Sequence, residues 1–298
     1  MSSAGTADVK RRTVNRNTAQ QKEVRVMKLK LVLAAVALFT VGVSVALASI
    51  AAYPPPSTEA NKGVFIVNCP FSHRKQVDPI VTTGTSAHMH DFLGNRSVDS
   101  NSTYASMTAA ATTCGLKGDT AGYWAPTLVA PNGSFVAPRR ALVYYRNNPV
   151  KYGTTTAFPP DFRLIAGGVG TGPPNVGWSC ESDASNMVAT PLSCGSGLMV
   201  LHVKFPNCWD GVRTDSSDHR SHVKYPTGSS CPSTHPVKVP EIFLHVRFPP
   251  GASGSGYKLS DGTVTPHADF WNTWQQAKLV QVVRDCLHAG VNCGQVSG

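Results

Sequence analysis

The sequence predicts a mostly-β protein: one disulfide-stapled, β-sandwich-like domain with a single C-terminal helix. Three observations carry this expectation. The 298 residues include 26 glycines and 22 prolines with only 15% charged side chains, and short apolar runs alternate with turn residues. Eight cysteines, an even number, all lie after an export-like N-terminus. Only one stretch, near the C-terminus, has helical rather than alternating spacing.

The N-terminus comes first. Eight of the 27 lysines and arginines and two of the 17 acids precede residue 31, and an uncharged apolar run then extends from Leu31 to Ala51. A basic segment, an apolar segment and small residues such as Ala46-Leu47-Ala48 form the secretory layout. The run is also long enough to span a bilayer, so residues 1–51 read as a signal peptide or a retained anchor. Either way the rest of the chain is placed outside the cytoplasm, secreted or tethered, and any membrane contact is confined to this segment. Residues 52–62, with Pro54-Pro55-Pro56, read as a linker, and 63–298 as one domain. The formal net charge is +10, but most of it precedes residue 31, and the remainder of the chain carries about four net positive charges. That balance lacks the dense basic stripe of a nucleic-acid binder.

Strands are expected at Val64–Val67, Thr127–Ala130, Ala141–Tyr145, Arg163–Ile165, Leu198–Phe205 and Ile242–Phe248, from their length and β-branched and aromatic content. In Leu198–Phe205, Met199, Leu201, Val203 and Phe205 form a wholly apolar face opposite His202 and Lys204. From Ala268 to His288 the apolar residues recur near helical spacing, with Asp269 at the start and Gly290 after the end, which predicts the helix there. The cysteines, Cys69, Cys114, Cys180, Cys194, Cys208, Cys231, Cys286 and Cys293, contain no Cys-x-x-Cys pair, which argues against a zinc ribbon or redox motif. Eight cysteines allow about 105 pairings, and sequential pairing is the expectation, Cys286–Cys293 closing a short loop after the helix.

Three histidine-and-acid clusters could carry chemistry. His88, His90 and Asp91 lie in one segment, where i and i+2 side chains of a strand share a face. Asp215, Asp218, His219 and His222 occupy a very polar stretch after Cys208-Trp209. His267 and Asp269 stand at the expected helix entrance. Taken singly, such residues mostly satisfy loops and caps. Taken together, they read as one site with Asp218–His219 as the acid–base pair and His88 and His90 holding substrate or metal. A divalent metal would draw on His88 and His90 with His222 or His219. The three glutamates after the linker region begins, Glu59, Glu181 and Glu241, lie outside these clusters, so a two-carboxylate glycosidase would have to use aspartates. There is no Gly-x-Ser-x-Gly elbow. Trp124, Tyr145 and Trp209, next to turns and cysteines, are candidates for a sugar-facing surface.

These motifs together resemble the domain-of-unknown-function 1996 family of secreted fungal and actinobacterial proteins. The resemblance is carried by His88-Met-His-Asp-Phe-Leu-Gly-Asn95, Tyr123-Trp-Ala-Pro-Thr-Leu128, Phe158-Pro-Pro-Asp-Phe-Arg-Leu-Ile-Ala-Gly167 and Trp178-Ser-Cys180. It continues through Phe205-Pro-Asn-Cys-Trp-Asp-Gly211, Asp215-Ser-Ser-Asp-His-Arg-Ser-His222, Cys231-Pro-Ser-Thr-His-Pro-Val237 and His267-Ala-Asp-Phe270. Leu93, where the family tends to an aromatic, and Asn272-Thr-Trp274, where it tends to Asn-Gly-Trp, are small departures. The resemblance implies association with cell-wall glycans through fused carbohydrate-binding modules in some members. The resulting expectation is a secreted protein acting on extracellular or cell-wall polysaccharide, either as a His/Asp-dependent glycan-cleaving enzyme, hydrolase or lyase, or as a non-catalytic glycan-binding module. A His-ligated metal protein is the third reading.

Overall fold

The computed structural model describes residues 63–147, 155–181 and 183–298. The basic segment, the apolar run and the proline-rich linker therefore lie outside the described residues. Among the described residues no helix is long and apolar enough to cross a membrane, and all of them belong to one compact unit.

The strands are β1 (Val64–Val77), β2 (Thr85–Gly94), β3 (Gly122–Pro126), β4 (Leu128–Val129), β5 (Phe135–Val136), β6 (Arg140–Arg146), β7 (Arg163–Gly167) and β8 (Val176–Cys180). They continue as β9 (Met199–Lys204), β10 (Cys208–Trp209), β11 (Val223–Lys224), β12 (Val237–Lys238), β13 (Glu241–Arg247), β14 (Lys258–Leu259), β15 (His267–Trp271) and β16 (Asn292–Gln295). Ten of them make one sheet, in the order β7-β15-β3-β2-β1-β6-β13-β9-β8, with β16 paired in parallel to β1. The two ends of that order, β7 and β8, are consecutive in the chain, and β7 packs near β9. The sheet thus curls until its ends approach one another and is nearly closed.

Alternation decides what the curl encloses. Phe65, Val67 and Cys69 of β1, Ala141, Val143 and Tyr145 of β6, Ile242, Leu244 and Val246 of β13, and Met199, Leu201 and Val203 of β9 enter one core. These are every-second-residue sets, as a pleated strand requires. The expected apolar face of Leu198–Phe205 is therefore the inner one. His202, on the other face, is also fully buried and shares a hydrogen bond with the Ser179 hydroxyl at 2.7 Å. Inside the core, the Tyr123 hydroxyl donates to the Asp119 carboxyl at 2.8 Å, Tyr123 and Tyr145 hydroxyls meet at 2.5 Å, and the Trp274 indole donates to Tyr145 at 3.0 Å. Asp119 is fully buried, and burial pushes its carboxyl up to about 8.

The C-terminal expectation needs correction. His267–Trp271 is a strand, and the helix is confined to Gln276–Val282, running on as a π-helical turn over Val283–His288. Ala268 and Phe270 enter the core while His267, Asp269 and Trp271 face the other way, a period of two. Trp271 and Trp274 imitate helical spacing only because one ends the strand and the other lies beyond it. The disulfides join Cys69–Cys114, Cys180–Cys194, Cys208–Cys231 and Cys286–Cys293, the sequential pairing expected.

Candidate metal centre

The outward face of β7-β15-β3-β2 carries His88 and His90 of the first cluster, without Asp91, together with His267 and Asp269. Asp269 pairs with Trp124, and Trp124 pairs with Phe92. His90 lies opposite Pro126, and by the same antiparallel count so does His267, on the other side of β3. Pro126 ends β3, so the imidazoles gather where the sheet offers only a small, apolar ring between them. Gly167 makes the adjoining approach possible. It pairs with His267 at φ +79°, and a Cβ there would sit 2.3 Å from the Pro266 carbonyl oxygen and 3.0 Å from His267 Cα.

The result is a three-imidazole cluster. One ring nitrogen each from His88, His90 and His267 lies within 4.8 Å of the others, and His88 Nε2 is 3.3 Å from His267 Nε2. Two nitrogens held about 2.05 Å from a tetrahedral zinc ion are about 3.3 Å apart. His90 Nδ1 donates to the Val77 carbonyl at 2.9 Å, so its proton is fixed there and Nε2 is left as a buried, unpartnered lone pair. Burial first, and then His88 and His267, depress His90 to about 3, which keeps it neutral. Burial likewise lowers His88, with His267 adding to the effect. His267 Nδ1 lies 3.5 Å from the Asp261 carboxylate, which is itself held by the Thr263 backbone and hydroxyl at 2.9 Å. A carbonyl behind one imidazole and a carboxylate behind another is the outer shell that fixes metal-ligating tautomers.

A second donor set shares His90. Asp78, His90 and Asp269 place ligand atoms within 4.8 Å of one another, with His90 Nε2 4.0 Å from Asp78 Oδ2. Both Asp269 oxygens are buried without a hydrogen-bond partner. Burial and then neighbouring Asp78 push the Asp269 carboxyl well up, and burial raises Asp78. The two sets meet at His90, the residue they share.

The other sequence-predicted residues go elsewhere. Asp91 receives two hydrogen bonds from Arg74, at 2.6 and 3.1 Å, and one from Thr127 at 3.1 Å, which occupies it structurally. His222 is buried with both ring nitrogens engaged, by the Arg163 carbonyl at 2.8 Å and the Ser216 hydroxyl at 2.9 Å. Asp218 caps its own loop: the Ser221 amide, the Ser216 hydroxyl and the Arg220 amide hold its carboxyl well below the usual range. His219 pairs with Asp215 at 2.8 Å, not with Asp218. Neither His219 nor His222 joins His88 and His90, so the expected third imidazole is corrected to His267. Trp124 and Tyr145 are fully buried, Tyr145 stacked on Phe65, and neither ring can face a sugar. Trp209 is partly buried, edge-on to Phe162, and donates to the Arg213 carbonyl at 2.6 Å.

What the polar 215–222 loop does bring to the centre is Arg220. Its Nη1 donates to the Ile165 carbonyl at 3.2 Å, and a Cβ placed on Gly168 would be 4.0 Å from both Arg220 Nη2 and His267 Cβ. Sequence reasoning missed Arg220, Asp78 and Asp261. Asp78-Pro79 and Asp261-Gly262 carry turn signals, and nothing in their local pattern speaks of a ligand shell.

The profile of a domain of unknown function, DUF1996, matches residues 78–274. The chain belongs to that family. The matched segment starts at Asp78 and ends beyond Asp269, so every donor of both sets falls within the DUF1996 region. No curated protein and no solved structure matches the chain.

Proposed function

We propose that this DUF1996 protein is an exported, metal-dependent protein that acts on extracellular or cell-wall glycan, with its reaction centre at His88, His90 and His267. The observation that carries the reading is the convergence of three imidazoles, His88 and His267 gathering about a His90 whose Nε2 is buried and unpartnered. His88, His90 and His267 would hold a divalent ion, which would supply Lewis acidity and activate water for attack. The chain does the rest. Val77 and Asp261 hold two of the imidazoles in their tautomers. Asp78 and Asp269, buried beside His90, offer further carboxyl oxygens next to that imidazole.

Access supports the same reading. A groove of about 250 Å³ opens beside His88, lined among others by Gln76, Phe135 and Lys258. Phe135 is half exposed, an aromatic face with hydrogen-bonding neighbours in place of the buried Trp124 and Tyr145. Export is supported by the N-terminal layout and by four disulfides, which persist in an oxidising compartment.

The test is product release from purified wall polysaccharides by protein as isolated, after chelation, and after metal is restored. The reading expects product in the first and third cases, and none after chelation or in His88→Ala. Product that survives both treatments contradicts it. Glycan binding without product in any case favours the non-catalytic module instead.

A further inference from the structure

Two cations flank the open side of the metal centre, and neither is used by it. Lys258 lines the groove beside His88 and is exposed. Arg220 is exposed on the His267 side, its guanidinium aimed by the Ile165 carbonyl. Neither forms an ion pair among the described residues, whereas Arg74, Arg163 and Arg213 are tied to Asp91, Asp161 or Asp215, and Asp210. The acids nearby are committed. Asp261 serves His267, and Asp78 and Asp269 lie buried beneath the imidazoles. An extended ligand crossing the centre would meet a positive charge on each side and the exposed ring of Phe135 in the groove. We infer that the ligand is an acidic glycan, a sugar polymer carrying anionic oxygen, engaged by Lys258 and Arg220 on either side of the imidazoles.

This rests on the proposed glycan reading and adds its charge. A uronate carboxylate and a phosphodiester offer the same anionic oxygens, and an arginine fork accepts either. Lys258 adds a point charge that suits both.

The experiment is a binding titration of the full-length protein, as isolated and after chelation, against three polymers at low salt. They are polygalacturonate, its fully methyl-esterified neutral form, and a phosphodiester-linked sugar polymer. The inference expects at least one charged polymer to bind tenfold or more tightly than the ester and to weaken as salt rises. Lys258→Ala and Arg220→Ala should each weaken that binding several-fold, with Lys258→Arg restoring most of it. Which charged polymer wins identifies the anionic group. Equal binding of the ester, no binding of either polyanion, or unchanged binding in the Lys258→Ala, Arg220→Ala double variant overturns the inference. Metal content is measured separately on the same protein. Charge-selective binding by protein without a metal site would overturn the metal reading alone, and metal uptake without charge selectivity would overturn this one alone.

Discussion

His90 is the residue on which the centre turns. It alone belongs to both donor sets, and its Nε2 has no partner in a buried environment. A buried polar atom left unsatisfied costs about 1–3 kcal/mol, a cost that a bound cation would remove. Replacing His90, His88 or His267 by alanine is expected to lower zinc affinity at least a hundredfold, measured by competition with a chelating dye. Asp261→Asn acts mainly through His267 and should cost about 10–100-fold, the usual effect of an outer-shell partner. His222→Ala should behave differently. It removes two buried hydrogen bonds and is expected to cost about 2–3 kcal/mol in denaturant unfolding while zinc affinity stays unchanged. Equal losses of zinc affinity in His222→Ala and His267→Ala would mean that the two clusters form one site after all.

At the scale of elements, β15 and β2 bring the imidazoles together, and Gly167 allows the turn that starts β15 to approach β7. Gly167→Ala would force a Cβ against the Pro266 carbonyl oxygen at a backbone conformation alanine rarely adopts. The expected result is a shifted His267, seen as a zinc affinity reduced tenfold or more with His88 and His90 intact. The disulfides should differ by the loop each closes. Removing Cys69–Cys114, with a separation of 45 residues, should destabilise by about 4 kcal/mol, against about 2.4 kcal/mol for Cys286–Cys293 with a separation of 7. Equal losses in paired alanine variants would argue against a loop-entropy origin. These elements are unevenly legible in the sequence. β6, β9 and β13 announce themselves by alternating apolar residues, and the cysteine pairing follows chain order. β15 is hidden because Trp271 and Trp274 fall three apart and disguise its period of two as helical spacing. The disguise matters for the site, since helical spacing puts His267 and Asp269 at a helix cap, whereas they stand on a strand two places from β2.

For the molecule as a whole, the curled sheet encloses a core into which the Asp119 carboxyl is buried beside Tyr123 and Tyr145. Asp119 is neutral in the folded state because burial raises its carboxyl to about 8, against about 3.9 in an unfolded chain. The folded state therefore binds the extra proton between those values. Its contribution to stability is present below about pH 4 and is lost as pH rises through about 8. The urea midpoint is expected to fall between pH 6.5 and 8.5, and to fall less in Asp119→Asn. Identical slopes in both proteins would show that Asp119 is not buried as described.

The same molecular scale explains what sequence could and could not say about the site. His88, His90, His267 and Asp269 each stand out in the sequence, because each lies in a short segment that combines histidine with aspartate. Their meeting depends on a strand order in which β15 lies beside β3 and β3 beside β2, a non-local arrangement that no local pattern encodes. The 215–222 loop looks equally chemical, yet its histidines and acids are spent on its own conformation and on holding Arg163. Only Arg220, the least conspicuous of its polar residues, reaches the centre.

The most direct measurement is a zinc titration of the full-length protein, purified without a histidine tag and stripped by chelation, using calorimetry and elemental analysis. About one tightly bound zinc per chain is expected, lost in His90→Ala and retained in His222→Ala. No stoichiometric zinc, or uptake that His90→Ala leaves intact, would contradict a metal centre built on His90.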